Sequence, residues 1–458
     1  MARHYEMLSR GIEESRHVLV LRHQLEKLLT EAMKRIDVTN VMTHAMTVIR
    51  GQLHIGKITY PIAGRRKIVL IAVGKAAFPM CNTAVAILQP ILTVDQSISG
   101  IIVGPQGDNA VPEGFSRFDG GHPFPNFASR EGAQAAIQML SPLTSDDLVL
   151  FLVSGGASAM MEAPLDPKIS VEQLGKFYKD LVHSGLPITE INTLRKHFSA
   201  VKGGRLALLA APAMQCTLII SDVPGKAYDM VGSGPSLPDS STVEDCRKIL
   251  MDAPIRAMFD EGVLHYFDGP ELCETPSQLD LPSGRSGCIC LLSNQSLLEQ
   301  VHRLATEAGF YTEIDTSCDD WDYREASAYL LQRTRTLRTK HSRVCLISGG
   351  EISVKVTEPS GIGGRNQHFA LHSAMHLREE DPSLAMLSFG SDGVDGNSGA
   401  AGALIDSLTM DRIRLLNLDP IDALQRFDSH AVFDVLGDTV TTGPTGNNVR
   451  DVRIFLSA

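Results

Sequence analysis

Short, almost uninterrupted apolar runs recur along this chain, each stopping at Gly, Ser or Asp and leading into a segment with helical periodicity. They are Ile68–Val73, Ile101–Val103, Leu148–Val153, Leu218–Ile220, Cys288–Leu292, Val344–Ile347 and Met386–Phe389. Runs of this length that are apolar on both faces suit strands buried inside a parallel sheet. Their alternation with helical segments predicts an α/β fold with helices on both faces of the sheet. Ahead of them, Val18, Leu21, Leu25, Leu28 and Leu29 recur at three- and four-residue steps, so the first fifty residues read as helix.

At 458 residues the chain is long enough for two or three domains of roughly 150 residues. Pro254, Pro270, Pro276, Pro282 and the run Ser283-Gly-Arg-Ser-Gly287 mark the weakest periodicity. The expected division is therefore an N-terminal domain at 1–275 and a C-terminal one at 276–458. Leu150-Phe-Leu-Val-Ser154-Gly155-Gly156 is echoed across that boundary by Val344-Cys-Leu-Ile-Ser348-Gly349-Gly350. The echo fits two related α/β units, or one strand-exit turn reached twice.

Lys+Arg number 42 against 53 Asp+Glu, a formal charge of −11. That balance argues against a nucleic-acid coat or a basic membrane-surface protein, while leaving room for a locally cationic cleft. No apolar stretch approaches the ~18–20 residues of a membrane helix, and the N-terminus lacks the pattern of a secretory presequence. The expected setting is the cytoplasm. The eight cysteines are sparse; Cys288 and Cys290 would share a strand face, and two buried strand thiols are expected there in preference to a metal pair.

Ligands in open α/β sheets lie beyond the carboxyl ends of the strands, and the chemically rich residues sit there. Gly74-Lys75-Ala76-Ala77 follows the first strong run; it matches neither the dinucleotide fingerprint nor a P-loop. Lys75 is a cation at a strand exit, which alone suits a surface lysine equally well. Ser154-Gly155-Gly156-Ala157-Ser158 has the glycines of a phosphate cradle, with a helix N-terminus expected to follow. A nucleophile elbow at Ser158 would need Gly where Met160 stands.

Asn192 to Arg205 is strongly basic, and on one helix Arg195, Ser199 and Lys202 would share a face fit for a carboxylate or phosphate; a solvated cationic helix is the bland alternative. Asp222, in Ser221-Asp-Val-Pro-Gly225, precedes the loop Gly232-Ser-Gly234-Pro and suits a magnesium ligand or proton acceptor. Asp392 and Asp395 repeat that chemistry in Ser391-Asp-Gly-Val-Asp-Gly396, where turn formation alone also explains Asp-Gly pairs. Gly361-Ile-Gly363-Gly364-Arg365-Asn366 would present Arg365 and Asn366 at a helix start, Arg365 being suited to a transferring phosphoryl group.

These motifs, in this order, resemble the type II glycerate kinases, the glycerate 2-kinase family with a MOFRL-type C-terminal domain. The likeness runs from about residue 25 to the end and includes Gly121-His122-Pro123, Gly350-Glu351 and Gly363-Gly364-Arg365-Asn366-Gln367. It implies a Rossmann-like N-terminal domain, a smaller C-terminal α/β domain and an active site in the cleft between them. It also implies ATP-dependent phosphorylation of the 2-hydroxyl of D-glycerate, with a divalent metal, expected to be Mg²⁺.

In that reading Lys75 and Arg365 are catalytic. Ser154, Gly155, Gly156, Ser158, Gly234, Gly363, Gly364 and Asn366 hold the nucleotide phosphates. His122, Arg195 and Lys202 hold the acceptor, and Asp222, Asp392 and Asp395 hold the metal. The alternative is an NAD(P)H-dependent hydroxypyruvate reductase, against which the missing dinucleotide fingerprint counts. No nucleic-acid or membrane partner is expected, and a homodimer is a candidate assembly. The chain departs from the family at Ala157, where glycine is common, and at Asn126, Lys226 and Ala227, where acidic residues are usual.

Overall fold

The computed structural model describes residues 2–281, 286–356, 361–378, 381 and 383–458, with side chains described from Arg16 onward. Pro282 and residues 283–285 of the expected linker lie outside the described residues. The chain forms two compact units that do not follow a single cut near 275. Val38–Leu291 make one, and Met1–Asp37 join Leu292–Ala458 in the other.

The Val38–Leu291 unit opens with a small antiparallel sheet, β1 (Met46–Ile49), β2 (Gln52–Ile55) and β3 (Ile58–Pro61). Its main sheet contains β4 (Lys67–Val73), β5 (Ser97–Gly104), β6 (Phe115–Asp119), β7 (Asp147–Ser154), β8 (Met214–Ile220) and β9 (Ser286–Leu292). The order is β6-β5-β4-β7-β8-β9, with β6 through β8 registered in parallel. From β4 the chain winds outward to β6; from β7 it winds the other way. The switch point of this doubly wound sheet therefore lies between β4 and β7, where such folds bind ligands.

Both faces of the central strands are dry. Val69, Ile71, Val73, Val149, Phe151 and Val153 pack against the helices Phe127–Leu140 and Arg205–Ala210. Ile68, Leu70, Ala72, Leu148, Leu150 and Leu152, of the other parity, are fully buried as well. The helix Ala77–Leu88, which is not part of the first cluster, packs on β4, β5 and β7. A second core joins the helices Val171–His183, Ile188–Phe198 and Glu261–Asp268 through aromatic rings, with Phe177 and Phe198 centred 4.5 Å apart. Cys288 is exposed and Cys290 only half-buried, contrary to expectation, because β9 lies at the sheet edge.

In the other unit the helix Ala2–Arg35 packs on the helix Asn294–Glu307 and on the strand Leu384–Gly390, burying Val18, Leu21, Leu25, Leu28 and Leu29. Arg22 on this helix reaches Asp406 and Asp438, each at 2.5 Å. The sheet comprises β10 (Tyr311–Ile314), β11 (Val344–Gly349), β12 (Leu384–Gly390), β13 (Gly402–Asp406), β14 (Thr439–Val440) and β15 (Asp451–Ser457), ordered β10-β11-β15-β12-β13-β14. The doubly apolar runs β11 and β12 suggest parallel neighbours. Both instead flank β15 antiparallel, so burial on both faces here comes from a central position in a mixed sheet.

Candidate active site

The switch point gathers the strand exits. Gly74 has φ +113, and a Cβ there would meet Ser154 O at 2.4 Å, so only glycine lets the two exits touch. The Lys75 amide donates to Gly155 O at 2.8 Å and the Ala76 amide to Ser154 Oγ at 3.0 Å, locking the loops together. A Cβ on Gly156 (φ +83) would lie 3.2 Å from His122 Cδ2 and 3.4 Å from Lys75 Cγ. Lys75 and His122 thus flank the Ser-Gly-Gly turn.

Among the described residues the amides of Gly155, Gly156, Ala157 and Ser158 donate no hydrogen bond to the protein. Successive N–H groups left open in this way form an anion-binding nest. The helix that the last two of them open is a single turn, Ala157–Met160, so its dipole adds less than a full helix would. The second Ser-Gly-Gly differs sharply. There the Gly350 amide donates to Asn294 Oδ1, the Glu351 amide donates to Asp319 Oδ1, and the Gly349 and Gly350 carbonyls accept from buried Arg453. That turn is satisfied internally and is no cradle.

The nest is braced by residues 228–234. Ser158 Oγ and Ser233 Oγ are 2.9 Å apart, and Ser233 donates to Asn192 Oδ1 at 3.0 Å. Ser233 holds φ +58 while fully buried, strain that functional sites often retain. Gly232 approaches Ala157 so closely that a Cβ would lie 2.8 Å from that residue's methyl, and Gly234, at φ +61, crosses Asp229 O. The reading of the Gly-Ser-Gly-Pro motif selects Gly234 and misses Ser233, although the serine between the two glycines signalled it. Asn126, where the family commonly has an acid, caps the helix Phe127–Leu140 by accepting from the Ser129 amide at 2.8 Å, which Asn and Asp do equally well.

The expected shared face of Arg195, Ser199 and Lys202 does not form. The helix ends at Phe198; Ser199 is extended and bridges Pro164, with the Ala200 amide donating to Ala163 O. Lys202 is not a solvent-facing cation either. It is buried, paired with Glu162 at 3.0 Å and donating to Met161 O at 2.7 Å, and burial lowers its pKa. Arg195, 8% exposed, is different: its guanidinium lies 4.7 Å above the Tyr178 ring, and among the described residues it has no ion pair. Asp222 is half-buried just beyond β8, on the carboxyl edge of the same sheet.

In the other unit Arg365 opens the helix Arg365–Met375 and is held by two carboxylates, Asp451 (Nε–Oδ2 2.6 Å) and Glu351 (2.8 Å). Burial disfavours its charge, but Asp451 and Glu351 more than offset this and raise its pKa. Asp451 lies far away in sequence, and no spacing could have pointed to it. Asp395 is engaged as a helix cap. Its oxygens accept from the amides of Asn366 and Gln367 at 2.9 Å, capping the helix, and burial raises its pKa. Asn366 is buried in the same cap and accepts from Ser388 Oγ at 2.6 Å. Gly363 and Gly364 owe their missing side chains to Ser429 and Asp395, which a Cβ would meet at 2.5 and 2.3 Å. Asp392 is half-buried, with Oδ1 accepting from the Val394 amide.

With an open amide run and Lys75 at the switch point of a doubly wound sheet, and Asp222 beyond the neighbouring β8, the fold is that of a doubly wound α/β protein. A family described as a domain of unknown function, DUF4147, matches residues 24–268, and the MOFRL family matches residues 344–451. The D-glycerate 2-kinase of Thermotoga maritima is 36% identical over 406 residues, 87% of this chain and 93% of that protein. A glycerate kinase structure from the same organism superposes with a TM-score of 0.82 at 32% identity, covering 96% of this chain and 100% of that one. An Agrobacterium vitis protein, 35% identical over 412 residues (86% of this chain, 88% of that protein), carries a provisional name as a hydroxypyruvate reductase. The chain belongs to the glycerate 2-kinase family.

Proposed function

We propose that this protein transfers the γ-phosphoryl group of ATP to the 2-hydroxyl of D-glycerate, giving 2-phospho-D-glycerate. The observation that carries the reading is the run of open amides at 155–158 beside Lys75, a cradle built for a phosphate rather than a dinucleotide. Phosphoryl transfer asks little covalent chemistry of a protein; it asks for alignment and for compensation of spreading negative charge. In this reading Ser154, Gly155, Gly156 and Ser158 bind the phosphates, Gly234 supports them from behind, and Lys75 neutralises the transferring group. His122 and Arg195 receive the acceptor, Arg195 at its carboxylate, while Lys202 contributes through its pairing with Glu162.

Arg365 is the second catalytic cation, pre-oriented by Asp451 and Glu351. Mg²⁺ accompanies the nucleotide. Among the described residues no group of three His, Cys, Asp or Glu side chains is assembled for a metal; Mg²⁺ commonly takes one or two carboxylates beside substrate phosphates. Asp222 and Asp392 are the donors this allows, and Asp395 is removed by its capping role. The reading includes a cytoplasmic setting, and sedimentation would decide between monomer and homodimer. Among the described residues no helix is long and apolar enough to cross a membrane.

Incubation with ATP, Mg²⁺ and D-glycerate, followed by phosphorus NMR, tests the proposal. A 2-phosphoglycerate resonance is expected. A 3-phosphoglycerate resonance would move the transfer to the other hydroxyl, and no phosphorylated product would sink the reading. NADH consumption with hydroxypyruvate in a parallel cuvette would establish the reductase instead.

A further inference from the structure

Ser158, the last residue of the nest, also belongs to a buried circuit. Its carbonyl accepts from Tyr178 Oη at 3.0 Å, and the same phenol contacts Glu162 Oε2. Glu162 is fully buried and paired with Lys202 at 3.0 Å. The face of the Tyr178 ring carries the guanidinium of Arg195, 4.7 Å from its centroid. One helical turn back from Arg195, Asn192 accepts from Ser233 Oγ, which returns to Ser158 Oγ at 2.9 Å. One tyrosine therefore touches the nest through its hydroxyl and the lone guanidinium through its ring.

The charges in this circuit are unequal. Lys202 and Arg195 bring two cations and Glu162 one carboxylate, and burial together with Glu162 keeps the Tyr178 phenol protonated. Arg195 is more than nine-tenths buried, its Nε has no acceptor, and no carboxylate pairs with it among the described residues. A buried cation left this way is poised for an incoming anion, because the desolvation cost is already met.

We propose that Tyr178 is a positioning residue for the transfer, setting Arg195 against the acceptor's carboxylate and the Ser158 end of the nest against the phosphoryl group, with Glu162 and Lys202 fixing its hydroxyl. This rests on the reading that Arg195 meets the carboxylate of a 2-hydroxy acid. The two contacts of Tyr178 separate by substitution. Tyr178→Phe keeps the ring beneath Arg195 and removes the hydroxyl; Tyr178→Leu removes both.

The test is steady-state kinetics on the full chain, with calorimetric titration of D-glycerate in the absence of turnover and circular dichroism to verify folding. Tyr178→Phe is expected to lower kcat about tenfold with KM for D-glycerate unchanged; Tyr178→Leu is expected also to raise that KM about tenfold, leaving KM for ATP unchanged. If Tyr178→Leu does not fold, the kcat-only loss in Tyr178→Phe decides. Wild-type turnover with a folded Tyr178→Phe of normal kcat would overturn the positioning role and leave the kinase reading standing. A wild type that binds D-glycerate without turning it over, and loses that binding in Tyr178→Leu, would refute the kinase reading and keep the positioning. Neither binding nor turnover would overturn both.

Discussion

At Gly156 a single methyl group is a large perturbation. Its φ of +83 disfavours any side chain, and the added carbon would crowd His122 and touch Lys75. Gly156→Ala is expected to lower kcat/KM about a hundredfold, together with a thermal midpoint lower by a few degrees, since the strained φ costs about 1 kcal/mol. A loss seen only in the midpoint would contradict it. In the proposed transfer Lys75 acts through charge, so Lys75→Ala should reduce kcat by about 10²–10³-fold while circular dichroism stays unchanged. Near-normal turnover would remove Lys75 from the mechanism. The placement of these residues at strand exits was legible in the sequence, because glycines and a lysine directly after an apolar run mark a turn. Tyr178 and Glu162 were not legible. A buried tyrosine on an amphipathic helix looks like core, and only its hydroxyl contacts distinguish it.

At the scale of elements, the helix Arg365–Met375 depends on a carboxylate from another loop. Asp395 satisfies the amides of Asn366 and Gln367 and also accepts from the Gln367 side chain at 3.0 Å. Asp395→Ala should therefore cost about 1–3 kcal/mol, measured as a lower urea midpoint, and Asp395→Asn should recover part of it. An unchanged midpoint would mean that the cap contributes nothing. The sequence left Asp395 open between metal ligand and turn former, since Asp-Gly loops serve caps and metals with the same residue types, and its capping contacts were not legible. Strands with apolar character on both faces were legible for a similar reason in reverse: burial dictates their composition whichever way their neighbours run. Direction was not legible, and β12 lies antiparallel to both of its neighbours. The helix through Lys202 failed because the extended pairing of Ser199 with Pro164 overrides local helical periodicity.

At the scale of the molecule, stability is tied to pH through buried carboxylates. Burial pushes Asp239 up, but Lys196 at 2.9 Å and the hydroxyls of Ser241 and Thr275 pull it down further, leaving its pKa below the ordinary 3.8. A depressed acid contributes stability above the unfolded value and loses it as pH falls through the folded one. The unfolding free energy should thus be steady near neutrality and decline below pH 3.8. Asp239→Asn should flatten that decline, and it should be less stable at neutral pH because Lys196 stays buried with Asp229 as its remaining ion-pair partner. Urea titrations across pH would measure both. A slope unchanged by the substitution would assign the dependence to other groups.

The membership of residues 1–37 and 292–458 in one unit also sets a timetable for synthesis. The helix Ala2–Arg35 leaves the ribosome with its stripe of Val18, Leu21, Leu25, Leu28 and Leu29, yet the surfaces that cover it are encoded only from Asn294 onward, on the helix Asn294–Glu307 and the strand Leu384–Gly390. At about 5–20 residues per second, that is a delay of tens of seconds. During it the intervening unit has everything it needs to fold, while the first helix waits with its apolar side open to chaperones.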